Sequence, residues 1–221
     1  MMISHTAWGD ARYEATAVPG DEDPDGQVAA VIGMMRGYVL ADYRAPVVAE
    51  EARRAMELDP NPVVAVFWHV KHSLSFVRDE VLAMPMQPNH VHPIVEVLVR
   101  PVDMASMCRD GGCRRSGDCD DYAMYAAALL MNLGINVSFV TLAADSADPN
   151  RYSHVYLAAY PGGVRVPLDV SHGVYPGWEA PNYYGKRTEW SVAGGLPPWI
   201  PLGGLLYAAA RWLAGGLGGL A

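Results

Sequence analysis

Cysteine and basic residues are scarce in this chain, and both shortages restrict what it can do. The three cysteines, Cys108, Cys113 and Cys119, cannot all pair within one chain of 221 residues. In a reducing compartment an odd thiol is more often chemical than structural. The 16 basic residues are outnumbered by 24 acidic ones, for a formal net charge of -8. Because no basic run offers a phosphate-neutralising surface, we predict no nucleic-acid partner.

A recognisable secretory signal is also lacking. The first twenty residues mix Trp8, Asp10, Arg12 and Glu14 with small residues. They do not have the basic start and apolar centre of a signal peptide. We therefore predict a cytoplasmic protein, kept in a reducing compartment.

Charged residues make up only 18% of the chain and hydrophobic residues 51%, so a sizeable core can be buried. We predict an amino-terminal segment over residues 1–26, one folded domain over 27–195 and an apolar, glycine-rich tail over 196–221. Arg211 and the glycines of the tail argue against a membrane-spanning helix. We expect a packed or partner-binding tail, with membrane contact as the less favoured alternative.

Apolar residues recur at helical spacing in the first third of the domain. The pattern predicts three helices, over residues 27–43, 46–58 and 62–81, the last two opening with proline. Residues 83–118 are rich in proline and glycine. We expect this stretch to be irregular, apart from a short strand over 94–99.

The motif Gly117-Asp118-Cys119-Asp120-Asp121 directly precedes an apolar run over residues 122–133 that Gly134 ends. This pattern predicts a helix with Cys119 at its start and a glycine C-cap. Three strands should follow, over 136–142, 153–160 and 164–170. Helices followed by an antiparallel sheet make an α+β fold.

Cys119 is the thiol best placed for chemistry. A helix N-terminus stabilises a thiolate, and its N–H groups can hold an oxyanion. Asp118, Asp120 and Asp121 oppose this, because negative charge favours the neutral thiol. Either a nearby imidazolium must outweigh them or the aspartates must point away as helix caps.

His154 is the predicted base, and Asp169 is the predicted partner that orients it. If the hairpin turn is centred between Pro161 and Gly162, the two residues face each other on adjacent strands. In that arrangement His154 takes the proton of Cys119, the thiolate attacks an acyl carbonyl, and His154 protonates the leaving group. We also expect the indole N–H of Trp68 to assist the backbone N–H of Cys119 in holding the oxyanion.

The segments GDCDDYAMYAAALLMNLGINVSFVTL, YSHVYLAAY and VPLDV resemble the core of the transglutaminase-like superfamily. The resemblance implies a papain-like fold with N-terminal helices packed on an antiparallel sheet and a Cys-His-Asp triad at Cys119, His154 and Asp169. With the upstream FWHVKHSLSFVRDE it covers roughly residues 27–172. One departure is Val155, which replaces the usual aromatic after the histidine and affects substrate contacts.

The subgroup that the chain resembles comprises small proteins of bacteria and tailed phages, which implies a bacterial host cytoplasm or a virion as its location. Members include peptidases, amidases, cross-linking transglutaminases and proteins without catalysis. We expect a thiol-dependent acyl-transfer enzyme that hydrolyses peptide or isopeptide amides in a protein or peptide substrate. The alternatives are a cross-linking transglutaminase and a non-catalytic phage structural, assembly or peptide-binding protein.

Other residues allow different interpretations. His172 is a second candidate base, although its position after the last strand favours a supporting role. A zinc site could be formed by loop residues, namely His90, His92, Cys108 and Cys113, but their spacing is not a standard zinc pattern. Cys108 and Cys113 could instead form a disulfide in an oxidising environment. We predict no metal and no organic cofactor, because the mechanism uses only side chains and backbone.

Overall fold

A computed structural model of the chain mixes helices and strands, in agreement with the predicted α+β class. It describes five stretches, residues 14–16, 24–79, 81, 96–107 and 115–194. Most of the predicted amino-terminal segment and all of the predicted tail lie outside them. Among the residues that the structure describes, no helix has the length and apolar character needed to cross a membrane.

Three helices, each with a proline in its first turn, lie between residues 24 and 73. They are α1 (Pro24–Asp42), α2 (Pro46–Ala55) and α3 (Pro62–Ser73). The third ends well before residue 81, where the prediction placed its end. Strand β2 (Leu74–Phe76) follows instead, because it pairs in parallel with β4 (Arg115–Gly117). Helical spacing in the sequence cannot reveal a pairing with a strand so far away.

The proline-rich region is more regular than predicted. Strand β1 (Glu14–Thr16) pairs antiparallel with β3 (Glu96–Leu98), which lies inside the predicted strand over 94–99. A short helix, α4 (Pro101–Ser106), and β4 then occupy parts of a stretch that we expected to be irregular. Both elements are too short to produce a clear periodicity in the sequence.

Helix α5 (Cys119–Asn132) is the centre of the fold, and every residue from Asp120 to Leu130 is buried. It packs against α1, α2, α3 and α4 and against two strands of the main sheet. Gly134 follows the helix with φ of 79°, the left-handed conformation expected of a glycine C-cap. The predicted start and end of this helix are therefore confirmed.

The main sheet has four antiparallel strands in the order β7-β6-β5-β8. They are β5 (Asn136–Leu142), β6 (His154–Tyr160), β7 (Val166–Leu168) and β8 (Arg187–Ser191). The first three were predicted, with β7 shorter than expected. Strand β8 was not predicted, because its polar sequence RTEWS gives little strand signal.

The predicted register of the β6–β7 hairpin is wrong. Leu157 pairs with Leu168, and that register, if it continued, would bring Asp169 opposite Tyr156 rather than His154. The cause is the turn: Gly162 and Gly163 both have positive φ, 59° and 84°, and with Pro161 they form a 3-10 turn wider than a two-residue connection. Asp169 lies just past the end of β7 and diagonal to His154.

A buried carboxylate, Glu51 of α2, ties the helices together. Its oxygens lie 2.7 Å from both Arg115 and Arg54 and 3.1 Å from both His69 and the Tyr125 hydroxyl. Burial alone would raise the pKa of Glu51, but the hydrogen bonds and positive charges of His69 and Arg115 lower it to about 2. Because α2, α3, β4 and α5 all contribute, Glu51 links elements that are distant in sequence.

Replacing Glu51 with Gln should destabilise the fold by about 3 kcal/mol, since the buried Arg115 would lose its counter-charge. The pH dependence has a definite sign. The folded-state pKa lies below the usual value, so this stabilisation is present above about pH 4.5 and is lost as the pH falls toward about 2. Urea unfolding of both proteins between pH 2 and 7 measures the difference.

Glu50→Gln is the matched control, because Glu50 pairs with Arg54 near the surface at 2.7 Å and should contribute less than about 1 kcal/mol. Equal effects of the two substitutions at pH 7 would contradict the role assigned to Glu51.

Candidate active site

The start of α5 is fixed by two aspartates that cap it. The Asp118 side chain accepts from the backbone N–H of Asp120, and the Asp121 side chain accepts from the backbone N–H of Asp118, each at 3.4 Å. This is a capping box. Cys119, between them, is the first residue of the helix, where the backbone N–H groups and the helix dipole favour a negative charge.

Gly117 is required by this arrangement. The Asp121 side chain folds back over it so closely that a Cβ on Gly117 would lie 2.6 Å from the Cβ of Asp121. The other Asp121 oxygen accepts from the backbone N–H of Val99 at 2.7 Å. The Asp121 side chain can therefore take this position only because residue 117 has no side chain.

The charge of one of the three aspartates, Asp121, is less adverse to a thiolate than the sequence implied. Burial, together with the charges of Asp118 and Asp79, raises the pKa of Asp121 well above its usual value. A carboxyl group with a raised pKa holds its proton more readily and brings less negative charge to the helix start. Asp118 and Asp121 both act as caps, which is one of the two solutions that the sequence allowed.

His154 and Asp169 form the buried polar pair of the site. The Nε2 atom of His154 lies 2.7 Å from an Asp169 oxygen, and Asp169 is fully buried while His154 is 8% exposed. His154 is the first residue of β6. The predicted partnership is present, although Asp169 reaches His154 diagonally from beyond β7 and not from the directly opposite position.

A tight turn holds the Asp169 carboxylate in place. Its second oxygen accepts from the backbone N–H of His172 at 3.0 Å and from the Ser171 hydroxyl at 3.1 Å. The backbone carbonyl of Asp169 accepts from Gly173 at 2.8 Å. The sequence Asp-Val-Ser-His-Gly carries a signal for this turn, because Asp side chains often accept from backbone N–H groups shortly after them.

Asp169 remains ionised at neutral pH. Burial by itself would raise the pKa of this carboxyl group. The hydrogen bond and charge of His154, with the backbone N–H of His172, outweigh burial and bring the pKa below its usual value. The carboxylate can therefore only accept hydrogen bonds from its neighbours.

Cys119 and His154 line the same cleft, whose volume is about 240 Å³. Helix α1 forms its apolar wall through Val28, Val31, Ile32 and Met35. The rest of the lining is mostly polar, namely Gln27, Asp118, Asp120, Thr141, Arg151, Tyr152 and Ser153. Sequence reasoning missed the contribution of α1, because nothing in the pattern of an amphipathic helix says which cleft it will cover.

Trp68, the predicted oxyanion donor, does not line this cleft. Its ring stacks on His72 with centroids 5.2 Å apart and meets the ring of Phe67 edge to face. The helical spacing of α3 turns Trp68 toward these neighbours and the core. Among the described residues, the indole of Trp190 lies beside the cleft, and its Nε1 donates to Thr141 at 2.9 Å.

His172, the alternative base, lies beside the pair. Its ring meets the His154 ring edge to face, with centroids 4.6 Å apart, and it also contacts Phe76. Burial and the charges of His154 and Lys71 lower the pKa of His172. The loop residues proposed for zinc or a disulfide, His90, His92, Cys108 and Cys113, lie outside the described residues.

Comparison with known proteins identifies no relative. No protein-family model, no curated protein and no solved structure matches the chain.

Gly117→Ala should destabilise the protein by about 1–3 kcal/mol, because the added methyl group overlaps Asp121 and breaks the capping box. Thermal and urea unfolding measure the loss. The matched control is Gly37→Ala in α1, where an added Cβ meets nothing within 4 Å. That substitution should stabilise by up to about 1 kcal/mol through helix propensity. A Gly117→Ala protein as stable as the wild type would refute the close packing described for this motif.

Proposed function

We propose that the chain is a thiol-dependent acyl-transfer enzyme that hydrolyses peptide or isopeptide amides through a thioester on Cys119. In this proposal His154 is the general base and acid, and Asp169 orients its imidazole. The observation that carries the proposal is the buried 2.7 Å bond between His154 and Asp169 beside a cleft that Cys119 also lines.

The hydrogen bond to Asp169 assigns the two nitrogens of His154. Because the carboxylate only accepts, the Nε2 atom of His154 must carry the proton that lies between them. A neutral imidazole then has its lone pair on Nδ1. That nitrogen is the one able to take the proton of Cys119.

The start of α5 offers a hydrogen-bond donor that can stabilise the negative charge of the oxyanion. The backbone N–H of Cys119 lies in the first helical turn, where N–H groups point out of the helix end. Gln27, a residue of α1, lines the same cleft. We assign Gln27 in place of Trp68 as the second donor to the oxyanion.

Acylation follows from these roles. His154 Nδ1 accepts the Cys119 proton, and the thiolate sulfur attacks the acyl carbon, forming a tetrahedral oxyanion held by Cys119 N–H and Gln27. As the C–N bond breaks, the imidazolium gives its proton to the departing amine. The product is a thioester between the acyl group and Cys119.

Deacylation needs a second nucleophile. In hydrolysis His154 takes a proton from water, the oxygen attacks the thioester, and the thiolate leaves and regains its proton. A transglutaminase would use an amine in the same step. We favour hydrolysis because water is the one co-substrate that needs no binding site of its own.

The order of the three residues and the sequence motifs around them support membership of the transglutaminase-like superfamily, with its papain-like fold, as part of this proposal. The resemblance also motivates a protein or peptide substrate and a phage or bacterial context. A non-catalytic binding protein is the rival, and thiol chemistry separates the two.

In the enzyme, Cys119 should react with iodoacetamide selectively near neutral pH, because the imidazole raises its thiolate fraction. His154→Ala should slow this reaction at pH 7 by about 10- to 30-fold, because an ordinary cysteine with a pKa near 8.5 is only about 3% thiolate at that pH. Rates at each cysteine between pH 5 and 9 are measured by mass spectrometry of peptides.

Asp148→Asn, in an exposed loop, is the control and should leave the rate unchanged. Asp169→Asn should give a rate between those of the wild type and His154→Ala. If Cys108, Cys113 and Cys119 react alike in the wild type, the chain is a binding protein and the proposal is wrong.

The fate of the acyl group distinguishes hydrolysis from transfer. A peptide thioester should acylate Cys119, seen as an added mass on the intact protein, and the added mass should decay in buffer alone. We expect a primary amine at millimolar concentration to leave the decay rate unchanged. Faster decay with formation of the amide would instead identify a transglutaminase.

A further inference from the structure

Three potential metal ligands meet at His154, which lines the cleft. Each of His154, Asp169 and His172 offers one ligand atom, and the three atoms lie within 4.8 Å of one another. A His172 ring nitrogen is 4.0 Å from one Asp169 oxygen, and His154 Nε2 is 2.7 Å from the other. We propose that this cluster binds a divalent transition-metal ion of the Zn²⁺ class, and that the ion switches the thiol off.

The ligand set fits such an ion. Imidazole nitrogen and carboxylate oxygen are ordinary zinc ligands at about 2.0–2.2 Å, and three protein ligands leave a fourth tetrahedral position for water. The two imidazole planes cross at 79°, so the rings are not stacked. Small rotations of His154 and His172 would bring both nitrogens onto one ion.

The cluster is also accessible. Asp169 and His154 are buried, whereas the His172 side chain is 55% exposed. His172 lies on the turn that follows Asp169, so an ion can reach the carboxylate by way of this ring. Ser171 supports the same turn, with its hydroxyl 3.0 Å from His172 Nδ1 and 3.1 Å from Asp169.

One nearby charge opposes a cation. The Lys71 ammonium donates to the backbone carbonyl of Val170 at 3.3 Å and lies close enough to interact electrostatically with Asp169 and His172. It therefore limits the affinity. A limited affinity suits a site that binds the ion reversibly. The Lys71→Met variant, which lacks this charge, should bind the ion more tightly.

The ion would inhibit Cys119 by changing which nitrogen of His154 carries the proton. This part of the inference rests on the proposed function. An ion on His154 Nε2 takes the lone pair of that nitrogen, and the single N–H of the neutral imidazole must then be on Nδ1. The proton displaced from Nε2 passes to solvent as another is taken up at Nδ1. With Nδ1 protonated, His154 has no lone pair left for Cys119.

The test uses Zn²⁺ alone and the full chain. To remove competing ligands, the background carries substitutions of His90 and His92 to Gln and of Cys108, Cys113 and Cys119 to Ser. We expect this protein to take up one Zn²⁺ in competition with a chromogenic chelator. His172→Gln should weaken binding at least about tenfold, and Lys71→Met should tighten it. His72→Gln, at an exposed histidine of α3, should leave the affinity unchanged.

Two results would overturn the site: no Zn²⁺ uptake by the background protein, or equal affinity of that protein and its His172→Gln variant. If His172→Gln does not fold, imidazole NMR of the background protein shows whether His154 and His172 bind the ion. The His154 and His172 signals should shift together at one equivalent of Zn²⁺, and a spectrum in which they do not shift refutes the site.

The effect on the thiol is read separately in a protein that keeps Cys119. Zn²⁺ at one equivalent should slow iodoacetamide labelling of Cys119, and His172→Gln should remove that sensitivity. Because binding is measured without Cys119, failure of the site and failure of the proposed enzyme give different patterns. Zn²⁺ uptake with no effect on labelling would refute the switch and keep the site.

Discussion

The burial of α5 from Asp120 to Leu130 constrains the elements packed around it in the described structure. With its residues from Asp120 to Leu130 inside the core, the helix cannot slide or rotate without exposing apolar surface. Its first residue, Cys119, is therefore held in one position at the edge of the core. The capping box and Gly117 define where the helix begins, so one short motif sets both the stability of the helix and the location of the thiol.

Asp169, and through it His154, is held in place by a tight turn and not by burial in a helix. Asp169 is not part of a strand; the turn that follows it supplies a backbone N–H and a hydroxyl to one carboxylate oxygen and leaves the other for His154. A carboxylate held in this way needs no rearrangement to orient an imidazole. The same turn places His172 beside the pair, so that three potential metal ligands meet there.

The parts of this arrangement that depend on neighbours in sequence were predictable. Helix α5 and strands β5 and β6 have strong local patterns and clear ends, and the pairing of His154 with Asp169 was anticipated. Its geometry was not, because two glycines with positive φ widened the hairpin turn. Long-range features were missed altogether: the parallel pairing of β2 with β4, and the approach of Gln27 to the cleft from α1. Trp68 was misassigned because helical spacing does not specify what a partly buried ring contacts.

The central claim is that His154, held by Asp169, shares a proton with Cys119. Thiolate absorbance near 240 nm, taken as the difference between the wild type and Cys119→Ser, measures this directly between pH 4 and 10. The account predicts that Cys119 is largely thiolate at pH 7 and that His154→Ala shifts its titration toward that of an ordinary cysteine, near pH 8.5. Coinciding titrations in the wild type and His154→Ala would contradict it.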